Sequence, residues 1–115
     1  MGSVKFSIKF EGLDELAHEL KKRENLDAVK TVVKMNGAEL QAGAQQKAPV
    51  DTGTLKRSIG VEIKDGGLTA EVTPTAEYAA YVELGTRFMA AQPYLEPSFN
   101  IQKSIFMKDL KKLVK

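Results

Sequence analysis

The chain has 115 residues, 43% of them hydrophobic and 28% charged, and 17 basic against 15 acidic side chains leave a net charge of +2. That length suits one domain around one modest core, the composition excludes wholesale disorder, and the charge is too small to imply a nucleic-acid partner by itself. The lack of cysteine excludes disulfides, thiolate metal sites and a Cys nucleophile, and the single histidine, His18, excludes a two-histidine zinc motif.

At the start, Val4, Phe6, Ile8 and Phe10 alternate with Lys5, Ser7 and Lys9, the period of a strand with one buried face rather than of a signal peptide. No apolar run approaches the roughly 20 residues needed to span a bilayer, so a soluble intracellular domain is expected. Gly12 breaks the alternation. Leu13, Leu16, Ala17 and Leu20 then follow at helical spacing, with Lys21, Lys22 and Arg23 late, as a helix dipole prefers. His18 falls within this pattern with no nucleophile beside it, and is read as an ordinary helix-surface histidine. Asn25 can end that helix and Asp27 can cap the next.

The second helix is predicted from about Ala28 to Lys47, with a stripe of Val29, Val33, Gly37, Leu40, Ala44 and Ala48. Gly37 and Gly43 each cost about 1 kcal/mol against alanine in a helix interior, which points to close approach by another backbone or to a kink. Pro49 ends the helix, because it drives Ala48 towards extended geometry.

Ile59, Val61 and Ile63 alternate within Ser58–Lys64, and Asp65-Gly66-Gly67 reads as a tight hairpin turn. Leu68, Ala70 and Val72 are the inner face of the returning strand, which Pro74 closes. The segment EYAAYVELGT reads as a short helix ending at Gly85, with a strand as the alternative; Arg87 to Tyr94 reads as a loop. Glu96 starts the last helix, with Pro97 at its first position and Phe99, Phe106, Leu110 and Leu113 as its stripe. The predicted fold class is therefore α+β. A small antiparallel sheet, made of the N-terminal strand and a central hairpin, is packed by two N-terminal helices and a C-terminal helix in a single domain.

Asp51-Thr52-Gly53 is the triplet that carries the catalytic carboxylate of aspartic proteases. Such a chain would dimerise to bring two carboxylates together around one shared proton. The surroundings oppose this reading. Helical patterns occupy about half the chain, a polar helix end broken by proline precedes the triplet, and two adjacent cations, Lys56 and Arg57, follow it. Asp51 is better explained as the start of a turn through Thr52 to Leu55.

Three stretches in order, APVDTGTLKRSI, YAAYVELGT and QPYLEPSF, resemble the small head–tail joining or tail-completion proteins of long-tailed bacteriophages, also described as minor tail or neck proteins. The matching positions are Pro49, Asp51, Thr52, Gly53, Leu55 and Ser58, then Tyr78, Ala79, Tyr81, Val82, Glu83, Gly85 and Thr86, then Pro93, Leu95 and Pro97. One departure is RFMAAQ, which stands where a glycine- or proline-rich link is expected. The resemblance implies a non-enzymatic virion assembly protein of a phage or prophage, made in the host bacterial cytoplasm. Its expected partners are other neck and tail proteins and further copies of itself in a ring, with no catalytic residue, metal or cofactor. Tyr81 and Glu83 are expected to serve joining more than folding, and Tyr78 and Phe88 lie near the same loop.

Lys103, Lys108, Lys111, Lys112 and Lys115 stand against one acid, Asp109, in the last eighteen residues. They could face DNA, which keeps a small nucleic-acid-binding module as a rival reading, but lysines late in a helix also satisfy its dipole.

Overall fold

The computed structural model describes residues 5–9, 26–49 and 53–113. The helix expected from Leu13 to Arg23, with His18, lies outside the described residues, as do Asp51, Thr52 and Lys115. Along the chain come β1 (Phe6–Lys9), α1 (Leu26–Lys47), α2 (Thr54–Ser58), β2 (Ile59–Lys64), a 3-10 turn (Asp65–Gly67), β3 (Thr69–Pro74), α3 (Ala79–Leu84) and α4 (Leu95–Lys111). The architecture is α+β, as the sequence predicts.

The three strands are antiparallel in the order β1-β3-β2, so the last strand in sequence is the middle one in space. Phe6 pairs with Val72 and Ile8 with Ala70 on one side of β3; Val61 pairs with Val72 and Ile63 with Ala70 on the other. One face of this sheet is covered by α1. Gly37 makes that possible: a Cβ there would stand 2.6 Å from the Ala70 Cβ. Close approach, rather than a kink, is the reason for glycine at this position. Gly43 faces α4, where an added Cβ would meet the Ser98 side chain at 3.5 Å.

Ile8, Val29, Val33, Leu40, Val72 and Phe106 are among the side chains of the core between the sheet, α1 and α4. The Phe6 and Phe99 rings, 4.9 Å apart, tie β1 to α4. Polar groups are buried there too. Asn36 donates to the Val32 carbonyl (2.9 Å) and to Asp109 Oδ2 (3.0 Å), while its Oδ1 accepts from Gln102 Nε2 at 2.6 Å. Every polar atom of that amide side chain is engaged, so the seam between α1 and α4 costs little and fixes their relative position.

One exposure and two boundaries differ from expectation. Val61 and Ile63 do face the α1 side of the sheet, yet they remain 37% and 43% exposed, because among the described residues β2 is an edge strand with a neighbour on one side only. Leu68 belongs to the turn, not the strand, and β3 opens at Thr69. Helix α4 begins at Leu95, which places Pro97 third instead of first. Proline is tolerated at both positions, since N–H groups of a first turn have no intrahelical acceptor.

Candidate assembly site

The end of the β2–β3 hairpin that carries Ile59 and Pro74 gathers α2, α3 and the loop before α4. Gly53 precedes α2 with φ of +79°, and its carbonyl accepts from the Arg57 N–H at 3.0 Å. Leu55 is buried, and the Ser58 hydroxyl donates to the Leu55 carbonyl at 2.8 Å, closing this five-residue helix. The Thr75 N–H then bonds the Ser58 carbonyl (3.1 Å), extending the β2–β3 register by one pair.

Helix α3 has two faces. Ala79, Ala80 and Glu83 are buried, whereas Tyr78 just before it, Tyr81 and Leu84 face solvent at successive three-residue steps. Gly85 ends it at φ 79° and ψ 173°, where only glycine is at ease, and an added Cβ would lie 2.7 Å from the Ala91 nitrogen. Thr86 and Met89 then exchange two backbone hydrogen bonds (2.8 and 3.3 Å), and the Thr86 hydroxyl oxygen accepts from the Phe88 N–H. The result is a tight turn with Phe88 at its tip, 86% exposed, under the Arg87 guanidinium at 5.0 Å from the ring centre.

Glu83 is only 4% exposed. Its Oε1 accepts the backbone N–H groups of Tyr94 (3.0 Å) and Leu95 (2.8 Å), and its Oε2 accepts that of Glu96 (3.0 Å). A carboxylate from α3 thus satisfies the otherwise orphaned donors at the start of α4 and complements that helix's dipole. Glu83 is expected to serve joining more than folding, and here its carboxylate is engaged inside the chain. Tyr94 itself is fully buried and donates its hydroxyl to the Ala79 carbonyl at 3.3 Å. Burial, aided by the Glu83 charge, pushes the Tyr94 phenol far above its ordinary range, which keeps it a donor.

Pro49, Gly53, Leu55, Tyr78, Val82 and Met89, together with Thr54 and Gln92, line a groove of about 620 Å³. Residues from all three stretches singled out in the sequence therefore meet there. Among them, Gly53, Leu55, Ser58, Val82, Glu83, Gly85 and Leu95 hold the local structure together. Tyr78, Tyr81, Thr86 and Pro93 are exposed, and Pro49 is half-buried at the groove. Sequence reasoning placed Phe88 near the site but gave no sign of its turn, because no residue between Thr86 and Met89 needs a positive φ. Among the described residues no group of three or more His, Cys, Asp or Glu side chains could hold a metal ion, and no helix is long and apolar enough to cross a membrane.

A protein-family model described as "Bacteriophage HK97-gp10, putative tail-component" matches residues 12–85, a span that takes in α1, the hairpin and α3 and stops at Gly85. No curated protein and no solved structure matches the chain significantly.

Proposed function

The chain belongs to the HK97-gp10-like family of bacteriophage tail components, and from that footing we propose that it is a structural neck or tail-completion subunit that joins head to tail. As a tail component it is a protein of the virion. In our reading it acts as one domain through protein–protein contacts, assembling in the host bacterial cytoplasm with other neck and tail proteins and with its own copies in a ring. It needs no enzymatic activity for this.

The observation that carries the reading is the presentation of Phe88. An aromatic side chain that exposed, held on a turn closed by two backbone bonds and following the outward Tyr78, Tyr81 and Leu84 in sequence, is suited to burial on assembly. Direct contact with DNA is a weaker reading. Lys103 lies 5.5 Å over the Phe99 ring and Lys112 is 3.9 Å from Asp109, so two of the basic groups have partners within the chain.

The experiment is electron microscopy of particles assembled without this protein. Filled heads beside separate tails, or tails of faulty length, are expected. Normally joined particles would overturn the proposal.

A further inference from the structure

Strand β2 leaves one edge of the sheet open among the described residues, and its hydrogen-bonding pattern says which groups face outwards. The Thr75 N–H to Ser58 carbonyl bond makes Ser58 and Thr75 a hydrogen-bonded pair of the antiparallel ladder. Pairs of that kind alternate with pairs that do not bond each other. It follows that Glu62 and Lys64 direct their backbone groups to β3, whereas Ile59, Val61 and Ile63 direct theirs to the open edge. The Gln41 side chain agrees: its Nε2 reaches round to the Ile59 carbonyl at 2.8 Å. Among the described residues, Val61 and Ile63 have no such cover.

On the face away from α1, Glu62 stands directly opposite Glu71. Like charges in that position are unfavourable. Lys64 lies diagonally between them, 2.9 Å from Glu71 and 3.3 Å from Glu62, and Lys5 approaches Glu71 at 3.6 Å from the other side. Glu71 is therefore flanked by two cations, whereas Glu62 shares the first of them and is otherwise open to solvent. Gly60 adds an independent sign, since no atom of the described residues lies within 4 Å of where its Cβ would stand. No described neighbour requires glycine there, and glycine in a strand often marks the approach of another backbone.

We infer that β2 pairs with β2 of a second copy of this chain, antiparallel, about a two-fold axis through Ile63. In this register Ile63 of each copy exchanges its outward N–H and carbonyl with Ile63 of the other. Glu62 falls opposite Lys64 of the second copy and Lys64 opposite its Glu62, so the pattern Glu-Ile-Lys is its own complement. The acid left short of a partner within one chain gains a cation, twice per pair. The two Ile63 side chains meet on the α1 face, which withdraws apolar surface from water. Other registers are worse. Centring on Glu62 opposes the two Glu62 carboxylates; centring on Val61 needs the Ile59 carbonyl that Gln41 already holds. A one-residue slip turns the apolar faces to opposite sides. Ile63 lies at the far end of the hairpin from α3, so pairing leaves the Phe88 surface free and is independent of head–tail joining.

Sedimentation equilibrium of the full chain tests this, with circular-dichroism melts to check folding. The native chain should show a reversible monomer–dimer equilibrium. Lys64→Glu alone, and Glu62→Lys alone, should each weaken it roughly tenfold or more, because two like-charge contacts replace two attractive ones. An equimolar mixture of the two variants should restore dimerisation, now as a heterodimer with both contacts attractive again. Amide exchange of the native chain gives a reading that needs no variant: the Ile63 N–H should slow as protein concentration rises. A chain that stays monomeric at its highest attainable concentration overturns the inference. So do folded variants that dimerise undiminished, a mixture that fails to restore the dimer, or Ile63 exchange that ignores concentration.

Discussion

Glu83 and Tyr94 are joined by a hydrogen bond of 3.0 Å from the Tyr94 backbone N–H to a carboxylate oxygen, and the same carboxylate holds the next two N–H groups of the chain. Through this contact the end of α3 fixes the beginning of α4. The loop between them, with Phe88 at its turn, is thereby pinned at both ends. The position of an exposed aromatic follows from a buried acid.

Replacing Glu83 should therefore damage folding before it damages assembly. Glu83→Ala leaves three donors without their acceptor and should cost about 3 kcal/mol or more; Glu83→Gln keeps one acceptor oxygen and should cost less. Glu83→Lys places a cation against the N-terminus of α4 and should be the worst of the three. Urea denaturation gives the ranking. An alanine variant as stable as the native chain would show that the carboxylate is not a cap.

Two glycines in one helix should respond in opposite directions to alanine. Gly37→Ala drives a Cβ against Ala70, so overpacking of about 1–3 kcal/mol should outweigh the gain in helix propensity. Gly43→Ala meets Ser98 at ordinary contact distance and should stabilise by up to about 1 kcal/mol. Melting temperatures decide it, and a stabilised Gly37→Ala would refute the close packing of α1 on β3.

Phe88→Ala should leave the melting temperature within experimental error, because the ring rests on little but Arg87. The same substitution should depress the yield of infectious particles in a complementation assay. Full infectivity with Phe88→Asp, a harsher change, would remove this side chain from the assembly surface.

The charged row on the sheet should give a modest pH dependence. The hydrogen bond that Lys64 donates to Glu71 holds the Glu71 carboxyl below its usual range and the Lys64 ammonium above its own. The depressed acid contributes stability at pH values above the ordinary carboxylate range, and this is lost as pH falls through its folded value. The raised base contributes below the ordinary lysine value and loses that contribution as pH rises through its folded value. Glu71→Gln should thus be less stable than the native chain near neutrality, with the gap closing in acid. Urea midpoints across a pH series would expose a gap that stays constant, which the ion pair does not allow.

The sequence made the stripe of α1 readable because Val29, Val33, Leu40 and Ala44 recur at helical spacing and all are buried. Asn36 and Gln102 were not readable as core residues. They bond each other across more than half the chain, and a buried amide has no periodic signature. Alternation revealed which way Val61 and Ile63 face, but exposure depends on strand order, which a period of two does not encode. The start of α4 was misplaced for a related reason: the group that caps it is supplied by α3. The capping contact of Glu83 joins residues eleven to thirteen positions apart, and no spacing announces it.

The strand order also bears on the sequence of events in folding. β1 is the first of the three strands to leave a ribosome, yet its partner β3 follows more than half the chain later, seconds afterwards at about 5–20 residues per second. By then β2 and β3, joined by a four-residue connection, can close on each other at once, whereas β1 has a long loop to close before any contact rewards it. The strand made first is the strand zipped last. Until then the Phe6 and Ile8 side chains wait without their core, so the nascent β1 segment is where a chaperone has its longest opportunity to bind.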